Sequence, residues 1–387
     1  MMILDNLKTA GTDEPVSITV TGAKITDIAA AVSGGDDTGK VSFDNALVFP
    51  GLINSHDHLD FNLFPRFGNQ TYSNYTEWGK HIHKNYKSEI DAVLRVPVVL
   101  RSEWGVFKNL LCGVTTVVNH GEPSGLNEDL VSIFEDAQCL HSVHFQKGWK
   151  LKLNNPFSGK IPVNIHVGEG DDWLSFTEID KLTNWNFFKR KLIGVHGVAM
   201  SESQAKKFEA LVWCPESNFY LLDKTASIDI LKNHTNILFG TDSTLTGGWN
   251  IWEHLRLARR TKLLNDEALY HTINKNAAKA WKLNCGELKT GTDADLVVAR
   301  IKKGTSGFNS FFLIEPSELV LVMHRGNIRL FDETMLTKLA GIDQNNYSKV
   351  YINGVCKYVQ GNLPALMAQI QEYYPQASFP VTTTQPD

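Results

Sequence analysis

Along residues 1–48, apolar and polar positions alternate in short runs such as Val16-Ser-Ile-Thr-Val20 and Lys24-Ile-Thr-Asp-Ile28, with turn-forming residues at Gly34-Gly-Asp-Asp37. A period of two predicts the strands of a small antiparallel sheet. From residue 46 to about 283 the pattern changes, and short apolar runs alternate with longer amphipathic stretches, which predicts parallel βα units. Predicted strands are Leu47–Asn54, Val114–Asn119, Leu140–Phe145, Val163–Val167, Leu192–His196, Leu211–Cys214 and Ile237–Thr241. Predicted helices include Ile90–Leu111, Glu128–Gln138, Ser175–Asn184 and Ser201–Ala210, the last opening with a capping-box pattern, Ser201 to Gln204. Between Phe145 and Val163 there is room for a short strand over Trp149–Leu153 but not for a full helix on each side of it, so a perfect eight-fold repeat is not expected.

Beyond residue 285 the period of two returns in Asp295–Ala299, Glu318–Met323 and Val350–Val355. A helix over Pro364–Tyr374 and a disordered tail, Val381–Asp387, complete the pattern. The terminal β segments are each too small to build a core. The expected organisation is therefore a composite β domain from 1–48 and 285–360, a βα region over 49–284, and a C-terminal helix and tail over 361–387.

The apolar run Ala46-Leu-Val-Phe-Pro-Gly-Leu-Ile-Asn ends in Ser55-His-Asp-His58. On a strand, residues i and i+2 share a face, so His56 and His58 aim two imidazoles at one point. A second HxH, His81 and His83, lacks any strand-like lead-in, which shows that the tripeptide alone is a weak signal. Other chemistry-bearing residues also fall at predicted strand ends, where an α/β barrel keeps its active site. His166 is followed three residues later by Glu169, and His196 ends the next strand. Cys214-Pro-Glu-Ser-Asn218 breaks a strand at proline, and Asp242 follows Ile237–Thr241. A lone strand histidine is usually a core residue, and an aspartate after a strand is often a helix cap. Together, however, His56, His58, His166 and Asp242 make an N₃O set suited to one divalent ion, Zn²⁺ before Fe²⁺ or Mn²⁺, with a position left for water. Such an ion lowers the pKa of its water toward 7. Glu169 can then shuttle a proton, His196 can hydrogen-bond the reacting centre, and Asp242 can also accept a proton.

Composition narrows the partners. Apolar content of 42%, charged content of 21% and a net charge of -4 describe a globular protein with no electrostatic footprint for nucleic acid. No basic stripe, signal-peptide pattern or long apolar run suggests a membrane, so a cytoplasmic location is expected. Five scattered cysteines, never spaced CxxC, exclude a disulfide framework and a cysteine-held zinc.

These motifs resemble the amidohydrolase superfamily, in the branch containing guanine deaminase, adenosylhomocysteine deaminase and the triazine hydrolases. The resemblance rests on Pro50-Gly-Leu-Ile-Asn-Ser-His-Asp-His58, His166-Val-Gly-Glu169, His196, Cys214-Pro-Glu-Ser-Asn218 and Phe239-Gly-Thr-Asp-Ser243. It extends to Thr272-Ile-Asn-Lys-Asn-Ala-Ala278 and Gly286–Val298, covering roughly residues 40–300. It implies an α/β fold: a (β/α)8 TIM-type barrel, distorted here, with a small composite β-sandwich domain. By the same resemblance His56, His58, His166 and Asp242 are metal ligands, Glu169 the proton shuttle and His196 the partner of the bound water. The implied activity is hydrolysis of a C–N bond in a small nitrogenous compound, deamination first, with a homodimer as the candidate assembly. The alternatives are cyclic-amide or amide hydrolysis with two metals bridged by Lys147, Lys150 or Lys152, and a catalytically inactive structural homologue. Arg66, His120, Trp149 and Asn218 are the candidate substrate contacts. For Arg66 a surface ion pair, and for Trp149 core packing, is the favoured competing reading.

Overall fold

A computed structural model describes residues 1–31, 39–158, 161–339 and 341–385. In chain order the strands are β1 (Met2–Thr9), β2 (Val16–Thr21), β3 (Lys24–Ala30), β4 (Lys40–Pro50), β5 (Leu52–Asp57), β6 (Val114–Asn119), β7 (Ser132–Phe134), β8 (Gln138–Ser142), β9 (Val163–Val167), β10 (Leu192–His196), β11 (Ala210–Trp213) and β12 (Asn236–Phe239). They are followed by β13 (Leu296–Arg300), β14 (Leu319–His324), β15 (Asn327–Asp332), β16 (Tyr347–Ile352) and β17 (Val355–Gln360). Strands from both ends of the chain share one nine-stranded sheet, ordered β16-β17-β15-β14-β13-β4-β1-β2-β3. Its pairings are antiparallel except β1 with β4. One face of this sheet closes over its own apolar cluster, including Leu4, Ile18, Phe43, Leu321 and Phe331. The turn expected at Gly34–Asp37 lies outside the described residues.

The middle of the chain is α/β, with its strands in two parallel arcs, β5-β6-β7 and β12-β11-β10-β9-β8. The apolar run read as one strand over Leu47–Asn54 divides at Gly51, which passes the chain from the terminal sheet to the first arc. A side chain at Gly51 would collide with Thr115, 2.1 Å from where its Cβ would stand. At the other end of the arcs, the Thr241 and Asp242 amides each donate to the His56 carbonyl at 3.1 Å, joining the exit of β12 to β5.

Several local expectations give way to packing. The helix over Ile90–Leu111 breaks at Pro97 into α2 (Lys87–Leu94) and α3 (Val98–Leu111), after α1 (Tyr75–Asn85), because a proline ring disfavours helix in the residue before it. The helix expected over Glu128–Gln138 is absent. Val131 and Ile133 are buried with half-buried neighbours, and Ser132–Phe134 pairs with β6 instead. Conversely, Trp149–Leu153 is not a strand but helix α4, whose buried Trp149 and Leu153 lie four residues apart while Leu151 is 82% exposed. After α5 (Trp173–Asn184), the helix begun by the capping box is short, α6 (Glu202–Ala205), although both reciprocal bonds form. Only three residues separate β7 from β8, too few for a parallel crossover. The two therefore continue one another, handing the chain from a pairing with β6 to a pairing with β9.

The tail is also ordered through residue 385. Tyr351 and Thr382 exchange backbone bonds at 2.8 and 3.0 Å, Val381 is buried, and Phe379 meets Trp104 edge to face at 4.8 Å. Removing residues 378–387 should therefore cost about 2–4 kcal/mol, from one buried aliphatic side chain and one aromatic pair. Urea unfolding followed by tryptophan fluorescence measures it, and an unchanged midpoint would return the tail to a free extension.

Candidate metal and catalytic site

The site is assembled from strand ends. On β5, His56 and His58 project to one side while Asp57, between them, projects to the other. Asp57 is fully buried, and it accepts from Lys108 Nζ at 2.9 Å, Asn109 Nδ2 at 2.7 Å, Asn62 Nδ2 at 2.7 Å and Asn54 Nδ2 at 3.1 Å. Lys108 and Asn109 come from α3, so the helix following β5 anchors the strand that carries the two histidines. This network escaped sequence reasoning. A charged residue between two outward-facing ligands has to find a buried partner, and that was the available signal.

His166 ends β9, and its Nε2 stands 3.1 Å from His56 Nε2. Asp242 Oδ1 lies 3.7 Å from both His56 Nε2 and His58 Nε2. Two nitrogens held by one tetrahedral ion at about 2.05 Å would stand about 3.3 Å apart, so this spacing fits ligands sharing a divalent cation. Asp242 is fixed through its other oxygen by Ser217 Oγ at 2.8 Å and Thr246 Oγ1 at 3.0 Å. Its approach depends on Gly240, where a Cβ would come within 2.8 Å of His56 Cβ. Both Asp242 (φ 58°) and His196 (φ 72°) adopt left-handed backbone, which turns the chain sharply at the strand ends.

His196 Nδ1 lies 2.9 Å from Asn218 Nδ2, and Asn218 Oδ1 accepts from Thr225 Oγ1 at 3.4 Å. That chain makes Nδ1 the acceptor and leaves the proton on Nε2, which faces Glu169 Oε2 at 3.6 Å. Asn218, taken as a substrate contact, thus orients His196 instead. Behind Glu169, the buried Glu178 accepts from the Gly168 amide at 2.7 Å and from Tyr75 Oη at 3.5 Å. Burial pushes the Glu178 carboxyl up to about 8.

The electrostatics suit a cation. Burial lowers His58 to about 4, with neighbouring His56 adding to the shift, and lowers His196 to about 3. His166 and His120 fall well below the ordinary range, again through burial and then through adjacent imidazoles. Burial alone would raise Asp242, yet the imidazoles of His56, His58 and His196 hold it well below the usual carboxylate range. Glu169 goes the other way, pushed well up by burial and by the Asp242 and Glu178 carboxylates. Imidazoles of lowered proton affinity, an aspartate of lowered proton affinity and a glutamate of raised proton affinity therefore meet within one buried cluster. The Nδ1 of His56 and both ring nitrogens of His120 have no hydrogen-bond partner among the described residues, and each buried orphan costs about 1–3 kcal/mol unless something else satisfies it.

A cavity of about 570 Å³ opens onto this cluster. His58, His166, Glu169, His196 and Asp242 are its polar groups near the reacting end, and Phe61, Phe64, Trp78, Ile82, Phe145 and Leu245 supply apolar wall. His141, missed by sequence reasoning, and His83 of the rejected HxH also reach it. Two other concavities, of about 660 and 620 Å³, contain no histidine among their described residues. Two expected substrate contacts lie elsewhere. Arg66 is engaged by Glu216 and sits over the Tyr220 ring, and Trp149 is buried as part of the main apolar core. Lys147, Lys150 and Lys152 are exposed, with Lys150 over Trp185, and none lines the cavity. These three lysines therefore do not reach the site from which a bridge to a second metal was expected.

The amidohydrolase family model matches residues 160–356. A 5'-deoxyadenosine deaminase of Methanosphaera stadtmanae is 20% identical over 83% of this chain and 91% of its own length. A 5-methylthioadenosine/S-adenosylhomocysteine deaminase of Thermococcus sibiricus is 27% identical over 38% of this chain and 39% of its own. Among solved structures, a zinc-bound adenosine deaminase from Xanthomonas campestris superposes with a TM-score of 0.72 at 14% identity, covering 97% of this chain and 98% of the other. A zinc-bound atrazine chlorohydrolase from Arthrobacter aurescens gives 0.69 at 16% identity, covering 97% and 100%.

Lys108→Met should destabilise the fold by about 3–5 kcal/mol, because it leaves the Asp57 charge buried without its cation. Adding Asp57→Asn should recover most of the loss, since it removes the stranded charge. Chemical denaturation of the two variants measures this, and additive losses would mean that the pair does not anchor β5.

Proposed function

Because this chain belongs to the amidohydrolase family, we propose that it is a metal-dependent hydrolase that deaminates a small nitrogenous compound. The observation that carries this reading is Glu169. Its carboxyl has a raised proton affinity, stands 3.6 Å from His196, and faces a cavity floored by three imidazoles and Asp242. The names of the relatives, deaminases acting on adenine nucleosides, support the reaction class. Within this reading the two parallel arcs form a TIM-type barrel, distorted where β7 and β8 share one position, and the terminal sheet forms a composite domain from residues 1–48 and 285–360.

His56, His58, His166 and Asp242 would hold one divalent ion, with zinc favoured by the nitrogen-rich donor set. When bound, that ion supplies Lewis-acid activation of water. Apolar walls hold a flat, largely uncharged substrate body by burial, and leave its polar end to the floor. The water oxygen bonds to the substrate carbon, the C–N bond breaks, one water proton leaves with the nitrogen as ammonia and the other remains on the product. Glu169, whose proton affinity burial raises, takes a proton from the water and hands it to that nitrogen, and Asp242 is a second acceptor for the water's protons. His196, with its proton on Nε2, donates to the oxygen on which charge develops. Asn218 keeps that tautomer in place.

Assaying ammonia release across amines, amino-heterocycles and amides, with metal analysis of the same preparation, tests the proposal. Wild-type protein should carry about one divalent ion per chain, and joint replacement of His56 and His58 by alanine should empty the site. Full occupancy in that double variant would remove the metal assignment. Glu169→Gln should keep the metal and the melting temperature yet lose about 10²–10⁴-fold in turnover. Near-normal turnover in a metal-replete Glu169→Gln protein would move proton transfer to Asp242 or His196.

A further inference from the structure

We propose that His120 is a fifth protein ligand of the divalent ion, which makes the donor set four imidazoles and one carboxylate. This rests on the metal site proposed above and extends it to a residue at the end of β6. The His120 amide donates to the Asp57 carbonyl at 2.8 Å, which ties the exit of β6 to the strand that carries His56 and His58. Its ring is 2% exposed and stacks on His166, with centroids 4.4 Å apart and planes within 17°. The His56 and His58 rings stand 4.9 and 5.2 Å away. One ring nitrogen of His120 lies within 4.8 Å of ligand atoms on both His56 and His166.

Two further observations separate a ligand from a substrate contact. Neither nitrogen of His120 has a hydrogen-bond partner among the described residues, so a neutral imidazole with a free lone pair sits fully buried. The cavity, moreover, is lined by His58, His141, His166 and His196 but not by His120. His120 therefore faces the cluster from behind, where the object within its reach is what His56 and His166 hold. Five protein ligands with a place for water exceed the four-coordinate shell usual for structural zinc and call for a five- or six-coordinate ion.

The test counts ligands directly. X-ray absorption at the metal edge of the wild-type protein should show four imidazoles rather than three, and needs no variant. Cobalt(II)-loaded wild-type protein should give the weak visible bands of a five- or six-coordinate ion. His120→Ala and His120→Asn should shift these toward the intense bands of four-coordination and weaken metal affinity, measured against a competing chelator, by about tenfold or more. Three imidazoles in the wild type, with unchanged cobalt spectrum and affinity in both variants, would overturn the inference while leaving the metal site standing. A wild-type protein that binds no divalent ion would overturn both.

Discussion

A buried carboxylate with no access to water organises this molecule. Asp57 lies between two histidines on a strand buried along its whole length, so its side chain must point away from them into the protein. A charge there is tolerable only when paired and hydrogen-bonded. Lys108 and three asparagine amides meet that demand, from α3, from the turn after β5 and from β5 itself. The same bonds that satisfy the charge set the height and rotation of β5. Asn54 also bonds Thr241 Oγ1 at 2.8 Å and accepts from the Thr241 amide at 3.1 Å, which carries the anchoring across to the loop bearing Asp242.

The polar floor follows from that frame. Strand ends are where a parallel sheet can present side chains from several sequence-distant segments to one point, and here β5, β6, β9, β10 and the loop after β12 converge. Burial then separates the protonation states. It lowers the proton affinity of His166 and raises that of Glu169, while the neighbouring imidazoles lower that of Asp242. Two carboxyls shifted in opposite directions beside imidazoles of lowered proton affinity are a division of labour set by surroundings rather than by residue type.

Much of the site was legible in the sequence because its donors sit at fixed offsets from apolar runs. His56 and His58 follow from period two, and His166, Glu169, His196 and Asp242 follow from standing just where such a run ends. The structure brings these six together. The softer assignments depended on where a loop side chain turns. Arg66 was taken by Glu216, Asn218 by His196, and Trp149 by the packing of α4. Between Asn119 and Val163 short apolar patterns failed in both directions, with a strand where a helix was expected and a helix where a strand was. Segments of three to five residues carry too little periodicity to overrule their neighbours.

By itself, the sequence determined the α/β class of the middle region, the strand-end positions of the metal-binding and proton-transfer candidates, and the β character of both termini. Each depends on local period and on residues near one another in the chain. Only the tertiary structure decided that the termini share one sheet and that β7 and β8 run on as one. It alone paired Lys108 with Asp57, turned Asn218 toward His196, and set His120 behind His166. Those outcomes depend on which distant groups are left unsatisfied when water is excluded, and a buried polar atom finds its partner by proximity in space, which no local pattern along the chain records.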